Sequence, residues 1–186
     1  MPVWSKSSIA VDRPSDQVEW QPVGDIEAAL TASRNAADQL ITHAASVGRP
    51  WDAPCAPGKW SPGQVVEHVT RAYEASVNVA TGRPSAFPSV PAPLHPLLRV
   101  LLRRVLRRGL LPKGRTTKPM NPATGAATPA DGRARLMHAH ERFEAACRAA
   151  AAQGAPLRTP IFGSVAVEDF IRFMELHTRH HQRQIA

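Results

Sequence analysis

His177 and His181 stand four residues apart near the end of the chain, in the run Glu175-Leu176-His177-Thr178-Arg179-His180-His181-Gln182. On an α-helix that spacing stacks two side chains on one face. Val167 to Ile185 reads as such a helix, with Glu168 and Asp169 at its positive end. Phe170, Phe173, Met174 and Gln184 fall on the same face, so two imidazoles point toward the core. A buried polar group must find a partner. Two stacked imidazoles that share one cannot both be charged. A divalent cation that takes a neutral nitrogen from each is one solution. The alternative is two histidines at a wet helix end, bonded to water.

A third candidate lies about 110 residues earlier, in Trp60-Ser61-Pro62-Gly63-Gln64-Val65-Val66-Glu67-His68-Val69. Ser61 with Gln64 forms a capping box and Pro62 takes the first helical position, so a helix starts here and runs to about Val79. Val65, Val69, Ala72 and Ser76 share a face, and His68 sits on it. Alone, His68 reads as a satisfied core histidine. Glu67 turns about 100° off that face, which argues against a general base beside the ligand.

Two more helices are expected. Ile26, Leu30, Ala37, Leu40, Ile41 and Ala44 keep a helical period from Asp25 to about Val47, stopped by Gly48 and Pro50. Thr128, Pro129 and Asp131 open another, whose buried stripe is Leu136, His140, Phe143, Cys147 and Ala150. Residues 1–22 read as an irregular arm, with Trp4 and Trp20 as candidate anchors, before a domain spanning 23–186. Gly154 to Gly163 reads as a turn region.

Between the second and third of these helices lies a long insertion, residues 82–129, rich in proline and arginine. It contains an extra helix, Leu94 to Leu111, in which Leu97, Leu98, Leu101, Leu102, Val105 and Leu106 alternate with Arg99, Arg103, Arg104, Arg107 and Arg108. Such a helix can lie on an anionic membrane or grip phosphate. Its ordinary use is to pack its leucines on its own domain and solvate its arginines. The segment Arg99 to Lys118 carries eight basic residues and no acid, within a chain of formal charge +8. It lacks the aromatic platforms of a nucleic-acid module.

Composition narrows the class further. The chain has 186 residues and 43% apolar residues, enough for one domain with a core. β-Branched and aromatic residues are few, which favours helices. Cys55 and Cys147 show no motif spacing, so a disulfide scaffold is not expected and a reducing cytoplasm is. The opening Met1-Pro2-Val3-Trp4-Ser5-Lys6 has no apolar secretion signal, and no run approaches the ~18 apolar residues of a membrane span.

Four long helices with one long crossover is a bundle topology, so the expected fold is all-α, a four-helix bundle. His68, His177 and His181 on facing helices would supply three nitrogens and leave open positions, the pattern of a reactive metal site. Imidazole suits zinc, nickel, copper or iron.

Two segments carry a family resemblance. Trp60-Ser61 with Gln64 and His68-Val69 resembles the W-S-x-x-E/Q-x-x-x-H-L/V segment of DinB-like proteins. Pro160 to Asp169 followed by His177, His180-His181 and Gln184-Ile185 is similar to that superfamily's H-x-x-H-H-x-x-Q-I ending. The resemblance implies an up-down-down-up bundle of the DinB/YfiT kind, often dimeric, in a cytosolic setting. It implies a metal site with His68, His177 and His181 as ligands, and His180 as the family's extra histidine beside them. Gln182 and Gln184 are candidates to orient the ligands from behind. Characterised relatives include S-transferases and isomerases that use a low-molecular-weight thiol, and many members have no known activity. The insertion departs from the simplest members, as a lid or a subunit contact. The functional expectation is a divalent-metal protein (zinc, nickel or iron) acting as a thiol S-transferase on small electrophiles. The alternatives are a non-catalytic, stress-linked metal-binding bundle and an interaction protein that uses its basic helix, 97–108, on membrane or nucleic acid.

Overall fold

A computed structural model describes residues 26–112, 114 and 116–185. The arm expected over 1–22 lies outside the described residues. The helices follow the chain as α1 (Ile26–Ser46), α2 (Pro62–Ala80), α3 (His95–Arg108), α4 (Pro129–Ala152) and α5 (Val167–Gln182). A hairpin of β1 (Leu157–Thr159) and β2 (Gly163–Val165) precedes α5.

Local chemistry sets the helix starts. Ser61 and Gln64 make both halves of the capping box, and Pro62 opens α2. Thr128 accepts from the Asp131 amide at the start of α4. Packing then follows the apolar stripes. α1 lies along α5, and α2 along α4. Leu30, Leu40 and Ile41 of α1, Val65 and Val69 of α2, Leu136 and Phe143 of α4, and Ile171 and Met174 of α5 meet in one core.

A buried polar layer crosses that core, with one residue from each of the four long helices. Ser33 Oγ lies 3.1 Å from Tyr73 Oη and 3.1 Å from His140 Nε2, and Tyr73 Oη lies 3.0 Å from Thr178 Oγ1. Thr178 donates to the Met174 carbonyl at 2.9 Å. A carbonyl only accepts, so the direction of the chain is set. Tyr73 donates to Thr178, Ser33 to Tyr73, and His140 Nε2–H to Ser33. Burial pushes the Tyr73 hydroxyl up to about 12, so it keeps its proton. Tyr73→Phe removes the middle link and leaves Ser33 without its acceptor. We expect a loss of about 1–3 kcal/mol, read as a lower urea midpoint with an unchanged slope.

The hairpin differs from the expected loop. β1 and β2 pair antiparallel, with Leu157 opposite Val165 and Thr159 opposite Gly163. Strands of three residues are too short to show an alternating pattern. Gly163 has φ +69°, and a Cβ there would stand 2.7 Å from His95 Nδ1, so the turn needs glycine twice over. The Pro160 carbonyl accepts from the Val90 amide at 2.9 Å, which ties the proline-rich loop after α2 to this turn.

The segment between α3 and α4 is strapped onto α2 and the loop before it. Trp51 Nε1 donates to the Ala126 carbonyl at 2.7 Å, Gln64 Nε2 to the Ala123 carbonyl at 3.0 Å, and Arg71 to the Asn121 carbonyl at 3.3 Å. Gly125 lies against the Gly63 backbone, where a side chain has no room. α3 turns only one side of its leucines inward. Leu102, Val105 and Leu106 are buried, whereas Leu97, Val100 and Leu101 face out.

The end of α5 also differs from expectation. The helix stops at Gln182, and the Ile185 amide donates to the Gln182 carbonyl at 3.2 Å. Ile185 is fully buried, so an apolar anchor, rather than continued helix, holds the chain end.

Candidate metal centre

The start of α2 sets the depth of His68, and the i, i+4 spacing on α5 sets His177 and His181. His177 Nε2 lies 3.4 Å from His68 Nε2 and 3.2 Å from His181 Nε2. The three candidate ligand atoms lie within 4.8 Å of one another.

What stands behind each ring decides which nitrogen carries a proton. His68 Nδ1 is 2.7 Å from the Met120 carbonyl. That oxygen only accepts, so a neutral His68 holds its proton on Nδ1 and leaves Nε2 with a bare lone pair. His181 Nδ1 is 2.8 Å from Gln184 Oε1, which sets the same tautomer. Two lone pairs therefore face His177 Nε2. If His177 keeps its proton on Nε2, it can satisfy only one of them. If not, three lone pairs converge.

Nor can protonation resolve the crowding. Burial, then the like charge of His181 and His68, holds His177 well below the usual imidazole value. Burial lowers His68, partly offset by the Met120 carbonyl. Burial and the neighbouring His68 take His181 down to about 3. Three neutral imidazoles with converging lone pairs fit a cation. A zinc–nitrogen bond of ~2.0–2.1 Å spaces tetrahedral ligands roughly 3.4 Å apart. Both His177 separations are near that value. His177 Nδ1 is buried without a hydrogen-bond partner among the described residues.

The site opens into a cavity of about 820 Å³. Its wall is mostly apolar, with Phe87, Leu111, Ile161 and Phe173. Lys59 and Arg183 line it, and among the described residues no aspartate or glutamate does. Trp60 stands just before the capped start of α2. Its ring sits 4.8 Å from that of His68 and stacks at 6.1 Å on His181, shielding one flank of the site.

A sequence model of the DinB superfamily matches residues 7–185. The chain belongs to the DinB superfamily. No curated protein and no solved structure matches it. The two segments that resemble DinB-like proteins are thus the two that meet here, bringing His68 against His177 and His181.

The other expected residues divide. Gln184 reaches back to His181, and its Nε2 lies 2.9 Å from His180 Nε2. His180 lines the cavity, edge-on to His181 at 5.2 Å. Gln182 is not brought to the histidines. It lies with Gln39, His43 and Arg179 in a shallow groove elsewhere, because one residue along a helix turns about 100° away. Glu67 accepts from Arg135 at 2.6 Å and from Arg71 at 2.9 Å, a structural carboxylate neutralised twice.

Sequence reasoning missed the Met120 carbonyl. It comes from the loop between α3 and α4, and no side-chain pattern marks a carbonyl. Gln184→Leu, which removes the Nδ1 acceptor of His181, is expected to weaken metal affinity about 10- to 100-fold. Competition against a coloured chelator measures it.

Proposed function

We propose that this chain is a DinB-type protein whose His68, His177 and His181 hold a divalent zinc, nickel or iron ion, and that it transfers a low-molecular-weight thiol to a small electrophile. The observation that carries the reading is the convergence of three neutral imidazole nitrogens, two with their tautomers set from behind, at the wall of an open cavity. The four long helices are read as the family's up-down-down-up bundle, with α3 and its flanking loops as an insertion between helices two and three. Assembly as a homodimer and a cytoplasmic setting belong to the same reading.

His68, His177 and His181 would hold the ion, which would supply Lewis acidity that lowers the pKa of a thiol. The chain's own residues supply the rest. The apolar wall of Phe87, Leu111, Ile161 and Phe173 suits the body of an electrophile and limits water. Lys59 and Arg183, with no acid beside them among the described residues of the lining, suit a carboxylate-bearing thiol. Trp60 and Phe173 flank the rings and keep them in place. In the transfer, the thiol proton goes to solvent, a carbon–sulfur bond forms, and the leaving group departs with its electron pair.

The test is conjugation of several small thiols to a chromogenic aryl halide by ion-loaded protein, followed through the released chromophore. A rate that His177→Ala leaves unchanged sinks the catalytic reading. Retained ion with no turnover on any thiol would move the protein to a non-catalytic metal-binding role.

A further inference from the structure

The large apolar side chains left exposed among the described residues gather in one place. Leu94, Leu97, Val100, Leu101 and Leu110 are 48, 67, 60, 44 and 61% exposed, and all lie on α3 or within two residues of it. The opposite side of the helix is already used. Leu102, Val105 and Leu106 are buried where α3 packs on α5 and β2, and Arg99 donates to the Phe162 carbonyl at 3.3 Å. α3 therefore has a second apolar strip that its own domain does not cover.

That strip is laced with cations. At 100° per residue, with Leu97 at 0°, Arg108 falls at about 20°, between Leu97 and Leu101, and Arg104 at about −20°, between Leu97 and Val100, while Arg107 lies beside Val100 on its far side and Arg103 about 40° further round. None of these four arginines forms an ion pair with a described residue. The segment Arg99 to Lys118 contains no acid. A solvated surface helix keeps its leucines inside and its charges outside. Here leucine and arginine share the outer face.

We propose that α3 docks the protein onto an anionic lipid surface, lying in the plane of the interface. The leucines would enter the boundary between headgroups and acyl chains while the arginines stay at the phosphates. The charge pattern selects this occupant. A second copy pairing through the same face would set two all-basic helices against each other. A nucleic acid would use the arginines but gain little from four leucines and a valine, and no phenylalanine, tyrosine or tryptophan stands on the helix to stack on a base. No helix among the described residues is long and apolar enough to cross a membrane, so contact is at the surface. The chain just beyond α3, with Leu111, Pro112 and Thr116, lines the cavity, so docking would hold the cavity mouth near the lipid.

The test is flotation of the full chain with vesicles of phosphatidylcholine alone or mixed with an equal part of phosphatidylglycerol, at low and high salt. The expected result is binding to the anionic vesicles only, weakened by salt. Leu97→Ser with Leu101→Ser should lower it on the order of tenfold with an unchanged helical circular dichroism spectrum. Arg103→Gln, Arg104→Gln, Arg107→Gln and Arg108→Gln together should abolish it. Absence of binding overturns the proposal. So does binding indifferent to the leucine changes, or tighter binding to duplex DNA at equal salt. A dimer lost in the leucine variant, without vesicle binding, would assign the face to a second copy instead and also overturn it.

Discussion

His177→Ala is expected to strip the protein of its divalent ion while leaving it folded. His177 is the ring that stands between the other two, at 3.2 and 3.4 Å, and its removal leaves two ligands with no third candidate grouped with them among the described residues. Losing a partner that only orients a ligand costs about 10- to 100-fold in affinity. Losing the ligand itself should cost more, enough that the ion does not survive desalting. The fold should survive, because His177 is only half-buried and the end of α5 is pinned independently by Ile185. Elemental analysis per chain, beside the urea midpoint of the ion-free protein, separates the two effects. Full ion content in the variant would mean that the three histidines are not the site.

The second large effect concerns acid and ion removal together. Burial depresses His68, His177 and His181, and also His140 in the core. A depressed imidazole is neutral in the folded chain while the unfolded chain takes up the proton. The unfolded state therefore binds more protons below its own pKa of about 6.5, and stability falls as pH falls. The contribution is complete above about pH 6.5 and is lost toward the folded values, about 3 for His181. Each such group costs up to about 1.4 kcal/mol per pH unit in that window. Bound ion opposes the same protons. At an ion concentration a thousandfold above Kd, binding adds about 4 kcal/mol. For a chain of this size that is roughly 8–16 °C in Tm. Thermal melts from pH 7.5 to 4.5, with ion and with chelator, should therefore diverge at the upper end and converge at the lower, where protons displace the ion. A chelator-insensitive Tm at pH 7.5 would contradict the site.

The basic helix shows where a pattern in sequence stops being informative. Leucine–arginine alternation in 97–108 predicts a helix, and α3 is there. It does not say which leucines face the domain. α5 and β2 cover only one side of α3, so Leu102 and Leu106 go in while Leu97 and Leu101 remain out. That choice depends on a hairpin whose strands are too short to read from alternation.

By itself the sequence determined the four long helices, the capped starts of α2 and α4, and the buried stripes. It also placed three histidines on faces that point inward. These are local properties. A capping box spans three residues, a helical face repeats every three or four, and the His177–His181 pair is one turn apart. Only the tertiary structure decided that His68 meets that pair across 109 residues of chain. It alone supplied the Met120 carbonyl, 52 residues from His68, that fixes which nitrogen is free. It also sent Gln184 back to His181 through a turn after α5 while leaving Gln182 on another face. The reason is physical. Periodicity fixes the direction of a side chain relative to its own helix, whereas a ligand site needs atoms from several elements within a few ångströms, and only packing sets those distances.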